Sequence, residues 1–377
     1  MASQILSILK AKRGEFEALE YTSEKNAASF LPLFDICPIT NKMRERIVYK
    51  NASAPVELYL TNVAKDIARV WKGRSALFDP FRWPVNAVTE SGQHVIPFMQ
   101  NKLKSLGVYV HATVGYDRWG SPDYQFAMST LGLGGDSYFC LRLDSTAIED
   151  SAEPEHFTGQ VNDIIETLGL NPALCLALID FADVTAVSLE TMVDHSKRVI
   201  DLLTPMGFTA ISVAGCSMPS FVTAAVGEED SNGTVLRKES LVFQTIRTEY
   251  PQLTVMHGDY GVRAPNSAED LIAPDTNFKI RYTIGHTYFV ARGHSQRKGN
   301  KGAQTQDLAR EVINSGHFMG PSFSWGDARI VECRNGGFSG NHGQWVGIDT
   351  NHHIAWVVAE VREFELQLAS ADSRATS

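Results

Sequence analysis

The chain has 377 residues, 44% of them hydrophobic and 20% charged, the balance of an ordinary globular protein. Its net charge of −9 weighs against general affinity for nucleic-acid backbones or anionic membranes. No apolar run approaches the length of a membrane span, and the N-terminal apolar stretch is too short for a secretory signal, so a cytoplasmic protein without membrane attachment is expected.

The five cysteines (Cys37, Cys140, Cys175, Cys216, Cys333) form no CxxC pair, which suits a reducing compartment. A basic run, Arg292, Arg297, Lys298 and Lys301, leaves nucleic acid open as a partner, although such runs are more often solvated loops.

In chain order, short apolar runs alternate with stretches of helical period. "QILSILKAK" leads into "GEFEALEY", and "FLPLFDICP" precedes "VELYLTNVAKDIARVWKG". "RSALFDPF", "VYVHATVGYD", "SYFCLRLDS", "LCLALIDFADV" and "FTAISVAGCSMP" are each followed by a helical segment, and "LTVMHGDY" is the eighth strand candidate. Parallel strands with crossover connections follow from this alternation. Eight units in roughly 260 residues predict a TIM-barrel-like (β/α)8 fold, with an open doubly wound α/β sheet as the alternative.

The eighth helix is read at "NHHIAWVVAEVREFELQL", which makes residues 262–350 a long insertion between the eighth strand and eighth helix, on the C-terminal face. The whole is expected to form a single domain over residues 1–368, with 369–377 a disordered tail.

The C-terminal ends of the strands then list the candidate site: Lys10 and Lys12, Asp35, Asp79, His111 and Asp117, Arg142 and Asp144, Asp180, and finally His257, Asp259 and Tyr260. One aspartate closing a strand is more often a cap or turn former. Its recurrence on five strands, beside lysines and an arginine, points to a polar functional site. Charges gathered over a barrel core need pairing, a metal or water. Two chemistries fit. Asp35, Asp180 and Asp259 could hold Mg2+ or Mn2+, with Asp144 as an acid/base group and Lys10, Lys12, Arg142 and Arg292 on phosphate, as in a metal-dependent phosphodiesterase. Alternatively the charges pair into a recognition pocket without turnover.

In the insertion, Trp325 is a candidate for stacking on a ligand and Asp327 for joining the polar cluster, against a hairpin turning at Gly326-Asp327. Thr350 or Asn351 reads as a helix N-cap, which would set His352 and His353 in a first turn that favours an anion.

These motifs resemble the phage Beta-protein family, named for a satellite-phage protein encoded beside a toxic partner in the Gop–Beta–CII cassette. The resemblance is carried by "ILKAKRGEFEAL", "PLFDI", "LCLALIDF", "GDY", "IRYTI…ARG", "GPSFSWGD" and "TNHHIAWVV", which span nearly the whole chain. It implies a protein of phages, prophages or defence loci, with a role in antiviral defence or phage competition and a protein partner from the same cassette. It carries over no catalytic assignment. Lys10, Lys12, Asp35, Asp180, Asp259, Arg292, Asp327 and His353 fall within its motifs, with Asp35 where a glutamate would be more usual. The expected function is action on a phosphorylated small molecule or phage component. The alternative is a non-catalytic sensor that recognises a phage product or restrains a toxic partner.

Overall fold

A computed structural model describes residues 4–135, 137–267, 277–299 and 301–375 of the protein. The side chain of Lys301 and the last residues of the expected tail, 376–377, lie outside what is described. In chain order the strands are β1 (Ile5–Lys10), β2 (Phe30–Asp35), β3 (Ser75–Asp79), β4 (Tyr109–Gly115), β5 (Phe139–Leu143) and β6 (Cys175–Asp183). They continue with β7 (Ala210–Cys216), β8 (Ser231–Leu236), β9 (Thr254–Asp259), β10 (Asn277–Ile284) and β11 (Thr287–Ser295).

Strands β1 to β7 and β9 close a parallel barrel, with β9 pairing both β7 and β1. Helices alternate with these strands, as in a (β/α)8 fold. The local chemistry explains why they start and stop where they do. The helix Pro55–Trp71 opens with proline at its first turn, where the missing N–H costs nothing, and buries Val56, Leu60, Val63, Ile67 and Val70 at helical spacing. The helix Pro154–Leu168 also opens on proline and ends at Gly169, whose φ of 62° is left-handed.

The eighth helix is longer than expected, running from His342 to Ala375. It therefore begins inside the segment assigned to the insertion and carries on into the segment expected to be a loose tail. Thr350 and Asn351 are buried in its interior and are not its N-cap.

Three apolar layers follow from strand alternation. One lies between barrel and helices (Ile5, Leu9, Phe34, Ile179, Val213), and a second fills the barrel (Leu6, Ile8, Leu33, Leu77, Leu178, Met256). The third lies outside the remaining strands, where β10, β11 and β8 form an antiparallel sheet backed by the helices Lys301–Asn314 and Trp325–Arg334. Strand β8, "SNGTVL", comes from the β7 connection and was not foreseen, because its asparagine and glycine read as loop. Nor is there a hairpin at Gly326-Asp327. Ser324 accepts from Asp327 N and its hydroxyl donates to Asp327 Oδ2, a reciprocal cap that starts a helix. Among the described residues, no helix is long and apolar enough to cross a membrane.

Candidate ligand cleft above the barrel mouth

The top layer of the barrel interior is a closed ionic network. Lys10, Asp35 and Asp79 stand at one level, since Lys10 pairs with Asp35 and Asp35 with Asp79 in register. Arg142 donates from Nε and Nη2 to Asp180 Oδ2, at 2.9 and 2.6 Å, and from Nη1 to Asp79 Oδ2 at 2.9 Å. Its guanidinium also lies over the Phe81 ring, 4.1 Å from the centroid. Arg118, from the loop after β4, holds Asp79 through two bonds of 2.6 and 3.0 Å. The Tyr260 hydroxyl donates to Asp180 at 2.7 Å, and Asp180 Oδ1 also accepts from Ala182 N. That turn holds Ala182 at φ 53°, beside a register shift between Asp180 and Asp183.

Burial alone would pull the Arg142 pKa down, but Asp180, Tyr260 and Asp79 hold it well above the ordinary value. Asp35 behaves differently. Burial raises its pKa, against the pull of Arg142, Arg82 and Lys10, and its Oδ1 has no hydrogen-bond partner. Arg82 lies 3.4 Å from Asp35, and Lys10 donates to Ser267 Oγ at 2.9 Å.

Above this layer lies a cavity of about 1130 Å³, roofed by the β10–β11–β8 sheet. Among the described residues its lining holds eight lysines and arginines against two carboxylates, Asp66 and Glu229. From below come Lys12, Arg13, Arg46, Arg69 and Arg263, and the roof supplies Lys279, Arg281 and Arg292. The roof face follows from alternation in "FKIRYTI": Phe278, Ile280 and Tyr282 face the outer core, so Lys279 and Arg281 face the barrel.

Several of these cations are already engaged. Arg69 pairs with Glu20, Arg263 with Glu15, and Arg281 with Asp349 at 2.9 Å. Arg292, 6% exposed, is held by the Val226 and Gly227 carbonyls and by no carboxylate among the described residues, so for this residue the solvated-loop reading of the basic run fails. Lys279 has no hydrogen-bond or ion-pair partner among the described residues. Its amine is held down to about 8 by burial and by Arg281 and Arg263.

The helix Arg13–Glu20 and the C-terminal helix both present their first residues to this cavity, through Arg13 and Gly14 and through His342 and Gly343. They approach closely because both are glycine-lined there. A Cβ at Gly14 would lie 2.8 Å from the Gly343 carbonyl oxygen, and one at Gly347 would lie 2.9 Å from that of Gly14.

Asp259 belongs to neither the network nor the cleft. Met256 and Tyr260 point into the barrel, so His257 and Asp259 point out, under the C-terminal helix. There Asp259 accepts from the Ser7 hydroxyl at 2.6 Å and lies 3.0 Å from Nε2 of both His257 and His353. Burial would raise its pKa, but His353 and His257 hold it well below the ordinary value. Burial pushes the His353 imidazole down by more than Asp259 pulls it up. The pair therefore rests as carboxylate and neutral imidazole, with Nε2–H donating to Asp259 and Nδ1 accepting from the Thr283 hydroxyl at 2.9 Å.

The neighbouring helix residues act in the same way. His352 bridges Asp327 and the Thr283 carbonyl, and Asn351 joins Gly326 N to the Ala18 carbonyl. "DTNHH" is thus a bolt between the barrel, the roof and two helices, and neither histidine lies in a first turn.

Other expected site residues also fall elsewhere. Trp325 stacks on Tyr21, with centroids 4.4 Å apart, and Asp327 is taken by Tyr282, His352 and Ser324. Asp144 caps the helix Ser145–Asp150, accepting from Ala147 N. His111 lies toward the opposite end of the barrel, edge-on to Tyr138. Lys10, Asp35, Arg142, Asp180 and Tyr260 do meet at the mouth, while Lys12 and Arg292 line the cleft above it.

The carboxylates considered for a shared metal do not come together, since Asp259 faces away and Asp180 is engaged by Arg142, Tyr260 and Ala182. Among the described residues no three His, Cys, Asp or Glu side chains are grouped to hold a metal. The sequence reading missed Arg118 and Arg82, which come from loops, and Lys279 and Arg281, whose alternation in "FKIRYTI" was the available signal.

Residues 6–359 match the model of a family described as Beta protein. No curated protein matches the chain.

Proposed function

The chain belongs to the Beta protein family, and from that premise we propose that it recognises a phosphorylated ligand in the cleft between barrel mouth and roof. The observation that carries this is the separation of charge. Asp35, Asp79 and Asp180 lie within the barrel-mouth network, while the charged residues described in the lining of the cleft above are eight cations against two carboxylates. Arginine forks and first turns of helices both suit phosphate oxygens.

This favours the recognition reading over the metal-dependent phosphodiesterase. A metal-dependent hydrolase needs carboxylates free to hold the ion at the ligand. The described carboxylates of the cleft are Asp66, which lies 4.0 Å from Arg69, and Glu229, which is paired with Lys298. We place the protein in the cytosol of an infected or lysogenic bacterium, where recognition of a phosphorylated phage or host product would serve antiviral defence or phage competition. The support is the family resemblance, together with five cysteines that form no disulfide, which suits a reducing compartment. A toxic protein encoded in the same cassette is the partner this reading implies.

Titration calorimetry with inorganic pyrophosphate tests the cleft. Saturable binding that weakens as salt rises is expected. Arg13→Glu, at an exposed cleft residue, should weaken it at least tenfold with an unchanged melting temperature. Absence of binding, or indifference to Arg13→Glu, would overturn the reading.

A further inference from the structure

The roof of the cleft carries a second chemistry beside its charge. Lys279 and Arg292 are register partners across β10 and β11, and both line the cleft. Arg292 Nη1 is pinned by the Val226 and Gly227 carbonyls, while its buried Nε has no hydrogen-bond partner. Buried donors are normally satisfied, so a guanidinium N–H left without an acceptor marks Arg292 as incompletely partnered beside the cleft. Lys279 is half-buried, and its amine has no hydrogen-bond or ion-pair partner among the described residues.

The connection that pins Arg292 also carries Phe221, which is 69% exposed and lines the same cleft. One helical turn, Val222–Ala225, separates Phe221 from Val226. At a rise of about 1.5 Å per residue, that turn keeps the backbone of Phe221 close to the Val226 carbonyl that holds Arg292. Met218, Val222 and Val290 continue the apolar side of the cleft around them. An exposed aromatic face beside a phosphate-gripping pair matches a ligand that carries both a flat ring and a phosphate.

Resting on the anion-binding reading, we infer that the ligand is a nucleotide, with its phosphates on Lys279 and Arg292 and its base stacked on Phe221. The experiment compares inorganic pyrophosphate with the common nucleoside diphosphates by calorimetry on the full chain. At least one nucleotide should bind about tenfold tighter than pyrophosphate, the scale of a single base–aromatic stack. Phe221→Ala should bring that nucleotide down to the pyrophosphate level, and Lys279→Ala should weaken both ligands, each variant melting as the parent does.

If pyrophosphate binds but no nucleotide exceeds it, or if Phe221→Ala keeps the advantage, the nucleotide assignment fails and the anion cleft stands. If neither ligand binds, both fail. A single-stranded oligonucleotide that binds more tightly than every mononucleotide would overturn the assignment in favour of a nucleic-acid strand.

Discussion

At Asp259 one buried carboxylate serves Ser7 and two histidines, joining a barrel strand to the helix that covers it. Removing it leaves these groups unsatisfied in a dry layer. Asp259→Ala should therefore cost about 1–3 kcal/mol of stability for each buried donor left unsatisfied, read by urea unfolding. A variant that unfolds like the parent would show the cluster to be dispensable. Lys279 presents the opposite case, a group whose state depends on a ligand. Its amine titrates near 8 in the free protein, and a bound phosphate favours the charged form. Binding should take up a proton, and affinity should be full below pH 8 and decline as pH rises through it. Calorimetry in buffers of different ionisation enthalpy measures the uptake, and Lys279→Met should abolish it.

Among the elements, the crossing of Arg13–Glu20 with His342–Ala375 is the tightest joint near the cleft. Alanine at Gly14 would gain about 1 kcal/mol in helix propensity. Its Cβ would also be driven to within 2.9 Å of Val346 and 2.8 Å of a backbone oxygen. Overpacking against backbone costs about 1–3 kcal/mol, so the clash should win and Gly14→Ala should melt lower than the parent. Since both helices open onto the cleft, pyrophosphate affinity should fall with it. An unchanged melting point would show that the helices can part freely.

Most barrel elements were legible because apolar runs and helical periods alternate regularly in the chain. Strand β8 was not, since "SNGTVL" has the composition of a loop and is a strand only through its pairing with β11. The helix at Trp325 was misread because Gly-Asp signals a turn as readily as Ser-x-x-Asp signals a cap.

For the molecule as a whole, the strand ends drew attention to the right end of the barrel but to the wrong layer. Charged residues there could be counted from sequence, and Lys10, Asp35, Arg142, Asp180 and Tyr260 do meet. What the count could not supply was pairing, because Arg118 and Arg82 arrive from loops whose paths only the fold determines. Parity could have been read. His257 and Asp259 are two apart and Tyr260 is one further on, so all three could not face the same way. The cleft itself belongs to β10 and β11, where a basic face alternates with an aromatic one.

Seating Asp180 in this network has one consequence for the backbone. Its Oδ1 holds the Ala182 N–H, and Ala182 adopts φ 53°. For an L-residue that conformation costs about 1–2 kcal/mol, while glycine there would lose about 0.5–1 kcal/mol through the greater freedom of its unfolded chain. Ala182→Gly should therefore raise stability slightly in urea unfolding. The turn after Asp180 is held under tension, like a bent spring kept in place by a hydrogen bond, and the alanine keeps it stiff where a glycine would let it relax.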